Sequence, residues 1–483
     1  MATMSVRSTS KFALRIVRAL LLLLGVSAVA YAFSGHPLYG GETGFGRFQM
    51  LIVGIGFGLA LCGILPASIA ERILLLTLSS LVMLAFGEIA GEILLGPRHR
   101  PIYQADDRLI FKFIPNRRST ITRSTLNGGE TVTHRINSDG FRGAELLPTG
   151  AAVRVVVYGD SFIHAFYTRE EETFAARLGG LLAGRLGREV EMVNAGVSSY
   201  GPDQISLKMK DELPRLRPDL VIVAVFAGND YGDLMRNKMF RLGADGILVE
   251  NRWVLDPMLR RRFTFSQQES ILKRALRSVF APRPAAADRT GAGKSRQNPG
   301  VNDLNFLRDE AEREYRNFIV ERDNVVTNTH MDYYSADISL MPSGESARYK
   351  IALMAAVLRR IRDIAAHSHV PLAFLFIPHP FDVTDDYDGW RADRARFPEY
   401  SGRNQIAPLE EMARTLAVPF VSLYDVYRAN DANSLYFHGG DDHWNAAGQR
   451  MAAQEMANYL LAHDLPRAGG APAATPERSG MKR

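Results

Sequence analysis

Three apolar runs crowd the first hundred residues, at 13–33, 50–66 and 71–95, and they divide the 483-residue chain before any other feature is read. A hydrocarbon layer about 30 Å thick takes roughly 20 helical residues to cross. The third run is long enough even with Glu88 and Glu92 toward its far end. The first has an uncharged stretch of only about 15 residues after Arg18, but Arg15 and Arg18 can snorkel to the interface. Residues 1–97 therefore read as an all-α membrane segment of about three transmembrane helices. Ala30-Tyr31-Ala32 has the small-x-small pattern of a signal-peptidase site, so the first run is either a retained helix or a cleaved signal. Glu88 and Glu92, one turn apart, read as interfacial carboxylates at a span terminus, with a proton path as the alternative.

The four basic residues Arg7, Lys11, Arg15 and Arg18 favour a cytoplasmic N-terminus. Three crossings then deliver the chain from about residue 100 to the extracytoplasmic side, and a cleaved signal followed by a hairpin of two spans gives the same result. Arg98, His99 and Arg100 run against this orientation, although long translocated domains escape the charge rule. These N-terminal residues carry +4 and the tail (Arg467, Glu477, Arg478, Lys482, Arg483) carries +3, leaving −1 of the net +6 for everything between. A near-neutral body has no basic face for phosphates, so nucleic acid is not an expected partner. With 46% hydrophobic and 23% charged residues, the chain is neither wholly disordered nor buried in lipid throughout. The one cysteine, Cys62, lies in an apolar run, which rules out a disulfide framework and a multi-cysteine metal site.

Past residue 97 the pattern changes. Residues 98–150 have little helical periodicity and read as an irregular or short-stranded lead-in. Short β-branched runs follow at 153–158, 190–193, 220–226, 372–377 and 419–422, as expected of strands buried on both faces. Helix-like segments at 171–184, 203–213, 346–367, 405–416 and 445–463 alternate with them. Alternation of this kind implies right-handed crossovers and a parallel sheet, hence a three-layer α/β domain over 151–463. An insertion at about 235–345 separates the third strand from the helix at 346. Its Pro-, Gly- and Ala-rich stretch 281–301 reads as a mobile loop and its 304–320 stretch as helix. Arising at the carboxyl end of a central strand, the insertion is either a lid or acceptor platform, or surface decoration. Residues 464–483 read as a disordered tail.

Residues able to do chemistry sit where strands end. Gly159-Asp160-Ser161 follows the first buried strand, so Ser161 stands at a strand-to-helix turn above the sheet's carboxyl edge. Asn194-Ala195-Gly196 ends the second, with a glycine whose backbone N–H can face a ligand. Ala227-Gly228-Asn229-Asp230 ends the third and puts an amide donor at the same rim. Far downstream, His438-Gly439-Gly440-Asp441-Asp442-His443-Trp444-Asn445 precedes the last helix. His443 titrates near neutrality and can take a serine proton. Either Asp441 or Asp442 can support it. Residues two apart in an extended segment point the same way, which favours Asp441. His164 is either a satisfied histidine or a lining residue, and Trp444 and Asn445 read as packing against and capping the last helix.

These blocks resemble the SGNH (GDSL-type) hydrolases, named for Ser, Gly, Asn and His in four separated blocks that occur here in order between about 150 and 463. The resemblance implies a flavodoxin-like fold, Ser161 as nucleophile, and an oxyanion hole from the N–H groups of Ser161 and Gly196 with the Asn229 side chain. It implies His443 as base, supported by an aspartate. Many members carry that aspartate three residues before the histidine, where this chain has Gly440. Asp441-x-His443-Trp444 is instead similar to the branch containing alginate O-acetylation proteins. Ala227 also replaces the usual glycine of the third block. The resulting expectation is a membrane-anchored extracytoplasmic serine esterase that needs no cofactor and takes an acyl ester as substrate. Two alternatives remain beside it. One is an O-acyltransferase modifying an envelope or exported polysaccharide, supplied with acyl groups by a separate membrane protein. The other is a catalytically silent carbohydrate-binding domain. A metal held by His438, Asp441, Asp442 and His443 would suit zinc or manganese by ligand type, but the serine blocks account for His443 without one, so no metal is expected.

Overall fold

In the computed structural model the described residues are 2–33, 47–95, 102–265, 304–321, 324–327, 335–389, 392–439 and 441–466. Contacts divide the chain into two units, Met1–Pro101 with Pro257–Thr290, and Ile102–Asp256 with Gly291–Arg483.

The first unit holds helices α1 (Ala2–Phe33), α2 (Arg47–Cys62) and α3 (Ala67–Leu95). Among the described residues two stretches are long and apolar enough to cross a membrane, Phe12–Phe33 and Ala67–Gly91. The second expected span is corrected: α2 stops at Cys62 rather than running to Pro66. Its 16 residues rise only about 24 Å at roughly 1.5 Å each. The chain turns at Gly63–Leu65, and the Pro66 carbonyl accepts the first bonds of α3 from Ile69 and Ala70, both at 3.0 Å. Helices α1 and α2 cross at two glycines, where a Cβ on Gly25 would fall 2.5 Å from the Gly56 carbonyl oxygen. Small residues permit such approach where dispersion between backbones drives helix association. Leu21, Ala70 and Leu74 are buried together, while Leu75, Leu76, Val82, Met83 and Phe86 are exposed.

The second unit is α/β. Strands β1 (Tyr103–Asp106) and β2 (Ile110–Phe113) form one antiparallel ribbon, β3 (Arg117–Thr122) and β4 (Thr131–Ile136) another. Of the two forms expected for the lead-in, irregular or short-stranded, these residues take the second, and Thr131–Ile136 alternates exposed and buried side chains along β4. It is also sewn to the central sheet: Arg142 bridges Ile136 on one side and Asn194 on the other. The central sheet contains β5 (Val153–Tyr158), β6 (Val190–Asn194), β7 (Leu220–Phe226), β12 (Leu372–Ile377) and β13 (Phe420–Ser422) in the order β13-β12-β7-β5-β6, all parallel. Every residue of β5, β7 and β12 is buried, which is why their sequences are near-continuous apolar runs rather than alternating, the exception being Arg154 of β5, which is paired with Glu191. Helix Phe174–Leu186 packs against Ala446–Ala462, and Pro202–Leu216 against Glu345–His367. Stepping outward from β5 to β6 and then back across to β7 puts these pairs on opposite faces.

Helix boundaries move by a few residues where caps decide them. The helix expected from 171 begins at Phe174, because Thr173 caps it through Oγ1, which accepts the Ala176 N–H. In the insertion, β8 (Phe240–Leu242) pairs with β9 (Leu248–Glu250), β10 (Val254–Leu255) with β11 (Val325–Val326), and Leu304–Arg316 is helical. The buried Lys350 ammonium ties this helix down, bonding the Asp337 carboxylate at 2.7 Å and the Ala311 carbonyl at 3.3 Å. Residues 281–301 lie outside the described residues, as does the tail from 467 on.

Candidate active site

Adjacent strands end side by side, so the order β6-β5-β7-β12 gathers four loops on one rim of the sheet. Gly159 leaves β5 with no room to spare, since a Cβ there would lie 2.4 Å from Ile163 and 3.3 Å from Ala224. The Asp160 carboxylate then caps the single turn Ser161–His164 by accepting the Phe162 N–H at 2.9 Å. Ser161 opens that turn and is 8% exposed.

Gly196 follows β6 and abuts the same turn, where a Cβ would stand 2.4 Å from the His164 nitrogen. Asn194 stitches the two blocks, donating to the Ile163 carbonyl at 2.7 Å while its Oδ1 accepts the Gly196 N–H at 3.1 Å. That N–H is therefore engaged. Asn229 follows β7 and heads the helix Asp230–Asn237 without its side chain capping it. It is 8% exposed, and its Oδ1 has no hydrogen-bond partner among the described residues.

His443 reaches this rim from the other end of the chain. Its backbone is pinned to that of Phe437 by the bridge between Tyr436 and Trp444 and by the Phe437 N–H bonding the His443 carbonyl at 2.8 Å. The Trp444 indole is buried and donates to the Phe162 carbonyl at 3.0 Å. The imidazole of His443 stacks on the Phe162 ring at 5.0 Å, which brings it beside the residue that follows Ser161. His443 Nδ1 is 2.8 Å from Asp441 Oδ1 and 3.6 Å from Asp442 Oδ1. On the far side of the ring Nε2 has no partner among the described residues, the Ser161 hydroxyl included. Burial opposes protonation of His443, but the Asp441 hydrogen bond and the charges of Asp441, Asp442 and Asp160 outweigh it and push its pKa up to about 9.

The remaining candidates have other partners. Asn445 caps the last helix, accepting from Ala447 and Gly448. His164 is buried, with Nδ1 2.7 Å from Ser198 Oγ, and burial holds it well below the usual imidazole range. His438 bonds Asp388 at 2.9 Å and the Asn433 carbonyl at 3.0 Å, so its ring nitrogens are not available to a cation. Donor atoms of Asp441, Asp442 and His443 lie within 4.8 Å of one another, a small set in which Nδ1 of His443 is already bonded to Asp441.

Several contributors were not foreseen. A cavity of about 380 Å³ opens beside His443, lined by Tyr167, Phe437, Asp441 and Asp442 and also by Thr122, Arg123, Ser124 and Asn127 of the lead-in. Asn127 clamps the histidine loop through both backbone groups of His438, at 2.9 and 3.0 Å. Tyr387 donates to the carbonyls of Phe437 and Asp441. The buried Arg142 guanidinium donates to the carbonyls of His164, Ala165 and Thr168, fixing the loop that carries Phe166 and Tyr167 around His443. His379, just past β12, lies against Gly228 and Asp442.

No protein-family model and no curated protein matches the chain. Solved structures similar to it include a G-D-S-L family lipolytic protein from Desulfitobacterium hafniense, at 11% identity over 64% of this chain and 99% of that one, with a TM-score of 0.28. An acetylxylan esterase from Geobacillus stearothermophilus is 12% identical over 65% and 96%, with a TM-score of 0.30. A lipase/acylhydrolase from Enterococcus faecalis is 9% identical over 65% and 99%, with a TM-score of 0.29. At such scores the reading of this site rests on its own residues.

Proposed function

We propose that the chain is a membrane-anchored serine esterase of the SGNH type. The observation that carries the reading is the Asp441–His443 pair at 2.8 Å, with Nε2 of His443 unpartnered and its ring stacked on the neighbour of Ser161. The Ser161 oxygen attacks the ester carbonyl while His443 Nε2 takes its proton, and the carbonyl oxygen becomes a transient alkoxide. The unused amide of Asn229 is the side-chain donor for that charge. Gly196 can add its N–H only by releasing Asn194 Oδ1. Collapse of the intermediate expels the alcohol, which receives the proton from His443 and leaves Ser161 acylated. Water, deprotonated by His443, then releases the acid and restores the serine. Asp441 holds the imidazole in the tautomer with its proton on Nδ1 and stabilises the imidazolium.

The apolar helices serve in this reading as the anchor, with the N-terminus cytoplasmic and the α/β unit extracytoplasmic. The test is hydrolysis of p-nitrophenyl acetate by the detergent-solubilised full chain beside Ser161→Ala and His443→Ala. Loss of hydrolysis in both variants is expected. Equal rates in all three proteins would refute the assignment.

A further inference from the structure

Asp442 takes no part in the steps above, yet it lies between two imidazoles. Its Oδ1 is 3.6 Å from His443 Nδ1 and its Oδ2 is 3.5 Å from His379 Nε2. His379 follows Pro378 at the end of β12 and is 6% exposed. Its tautomer is set locally. It is the N-cap of the turn Pro380–Val383, where Nδ1 accepts the Phe381 N–H at 3.2 Å. A nitrogen that accepts cannot carry the proton of a neutral imidazole, so that proton is on Nε2 and faces Asp442. Burial keeps His379 below the ordinary imidazole range, against the pull of Asp442. For Asp442 the contacts with the two histidines outweigh burial and keep its carboxyl below the usual carboxylate range. The same ring packs on the turn before Asn229, where a Cβ on Gly228 would fall 2.6 Å from His379 Cδ2.

We infer that His379 is a positioning residue for the proposed reaction, one whose Nε2–H holds the Asp442 carboxylate beside His443, so that two carboxylates rather than one face the imidazole. The inference rests on the esterase reading for its purpose but not for its geometry. Asp441, Asp442 and Asp160 favour the charged form of His443, the His164 imidazole adjoins it electrostatically, and the rings of Phe162, Phe166 and Tyr167 enclose it. Of the three carboxylates, Asp442 is the one His379 contacts.

Two substitutions separate the two nitrogens of His379. In His379→Asn the amide oxygen can take over the cap on Phe381 but nothing reaches Asp442. In His379→Gln the amide nitrogen can replace Nε2–H while the cap is lost. The experiment is an NMR titration of the full chain in detergent with labelled histidine, in which His443 is identified by its absence from the His443→Gln spectrum. Asp442→Asn should lower the His443 midpoint by roughly half a unit or more, since a nearby anion is removed. His379→Asn should lower it by a similar amount, His379→Gln should leave it near the wild-type value, and the His379→Asn/Asp442→Asn double variant should move no further than Asp442→Asn alone. The inference is overturned if His379→Asn leaves the midpoint in place, if the Gln variant shifts as far as the Asn variant, if the two single shifts add, or if Asp442→Asn moves nothing. The titration reads His443 without turnover, so its result stands apart from whether Ser161 supports hydrolysis.

Discussion

Acid should unfold this protein through His134. The residue lies on β4 at 3% exposure, and its ring meets the His164 ring edge-on at 5.4 Å. Neither ring nitrogen has hydrogen-bond geometry to a described residue. Burial, with the Arg142 charge behind it, pulls its pKa down to about 4, and the nearby Phe166 carbonyl offsets this only in part. The unfolded chain takes up the proton near pH 6.5 and the folded one only near 4, so between those values protons favour unfolding. From the two midpoints, His134 alone removes about 2 kcal/mol of stability by pH 5 and about 3 by pH 4, with little further loss below. His164, which burial also holds low, adds in the same direction. His443 acts oppositely and elsewhere: its raised pKa gives stability that is fully present below about 6.5 and is lost as pH rises through about 9. The assay is thermal unfolding of wild type and His134→Phe at pH 7 and pH 5. An aromatic replacement of similar size removes the titration, so the drop in Tm between the two pH values should shrink by on the order of 3 °C. If both proteins lose equal stability between pH 7 and pH 5, His134 is not the group being protonated and the argument from burial is wrong.

Because His443 must be unprotonated to act as base, kcat/KM for p-nitrophenyl acetate should rise with pH through the His443 pKa of about 9, and replacing Asp441 by Asn should move that rising limb down toward the ordinary imidazole value and cut kcat by roughly a hundredfold or more through loss of the tautomer. A pH–rate profile with an unmoved limb would contradict this. Arg142→Met should leave the carbonyls of His164 and Thr168 without donors, while that of Ala165 keeps the Thr168 N–H at 2.8 Å, at about 1 to 3 kcal/mol for each buried group left unpaired. Its urea midpoint should fall clearly below wild type. Asn445→Ala removes the cap accepting from Ala447 and Gly448 and should cost about 1 kcal/mol in the same urea titration.

Much of the rim was legible because its geometry is local. A run such as Leu220–Phe226 can be apolar throughout only if both faces are covered. Once such strands are parallel, Ser161, Gly196 and Asn229 fall at one edge without any knowledge of packing. The relation of Asp441 and Asp442 to His443 was also local, since two-residue spacing in an extended segment gives the shorter distance to Asp441. What escaped depends on contacts between distant segments. Asn127 and His438 are 311 residues apart, and nothing near either announces the clamp. His379 stands between two prolines with no recognisable block around it. Arg142 follows the turn-formers Asn137, Ser138, Asp139 and Gly140, so it read as connection rather than as a residue bridged to the sheet. The end of α2 was missed for a different reason: composition continues apolar to Leu65, while the backbone turns at Gly63.

Where a soluble fragment can be cut follows from Arg142 and Asn127. A boundary at 151, the start of the strand-helix alternation, would keep all four sequence blocks and every residue assigned to the chemistry. It would also remove the guanidinium that holds residues 164–168 and the amide that holds His438, together with Thr122, Arg123 and Ser124 from the cavity wall. Such a fragment can retain its sheet and still lose its pocket, so a failed assay on it would report the cut rather than the enzyme. Beginning at 102 keeps both ribbons, with Asn127 and Arg142, beside the sheet.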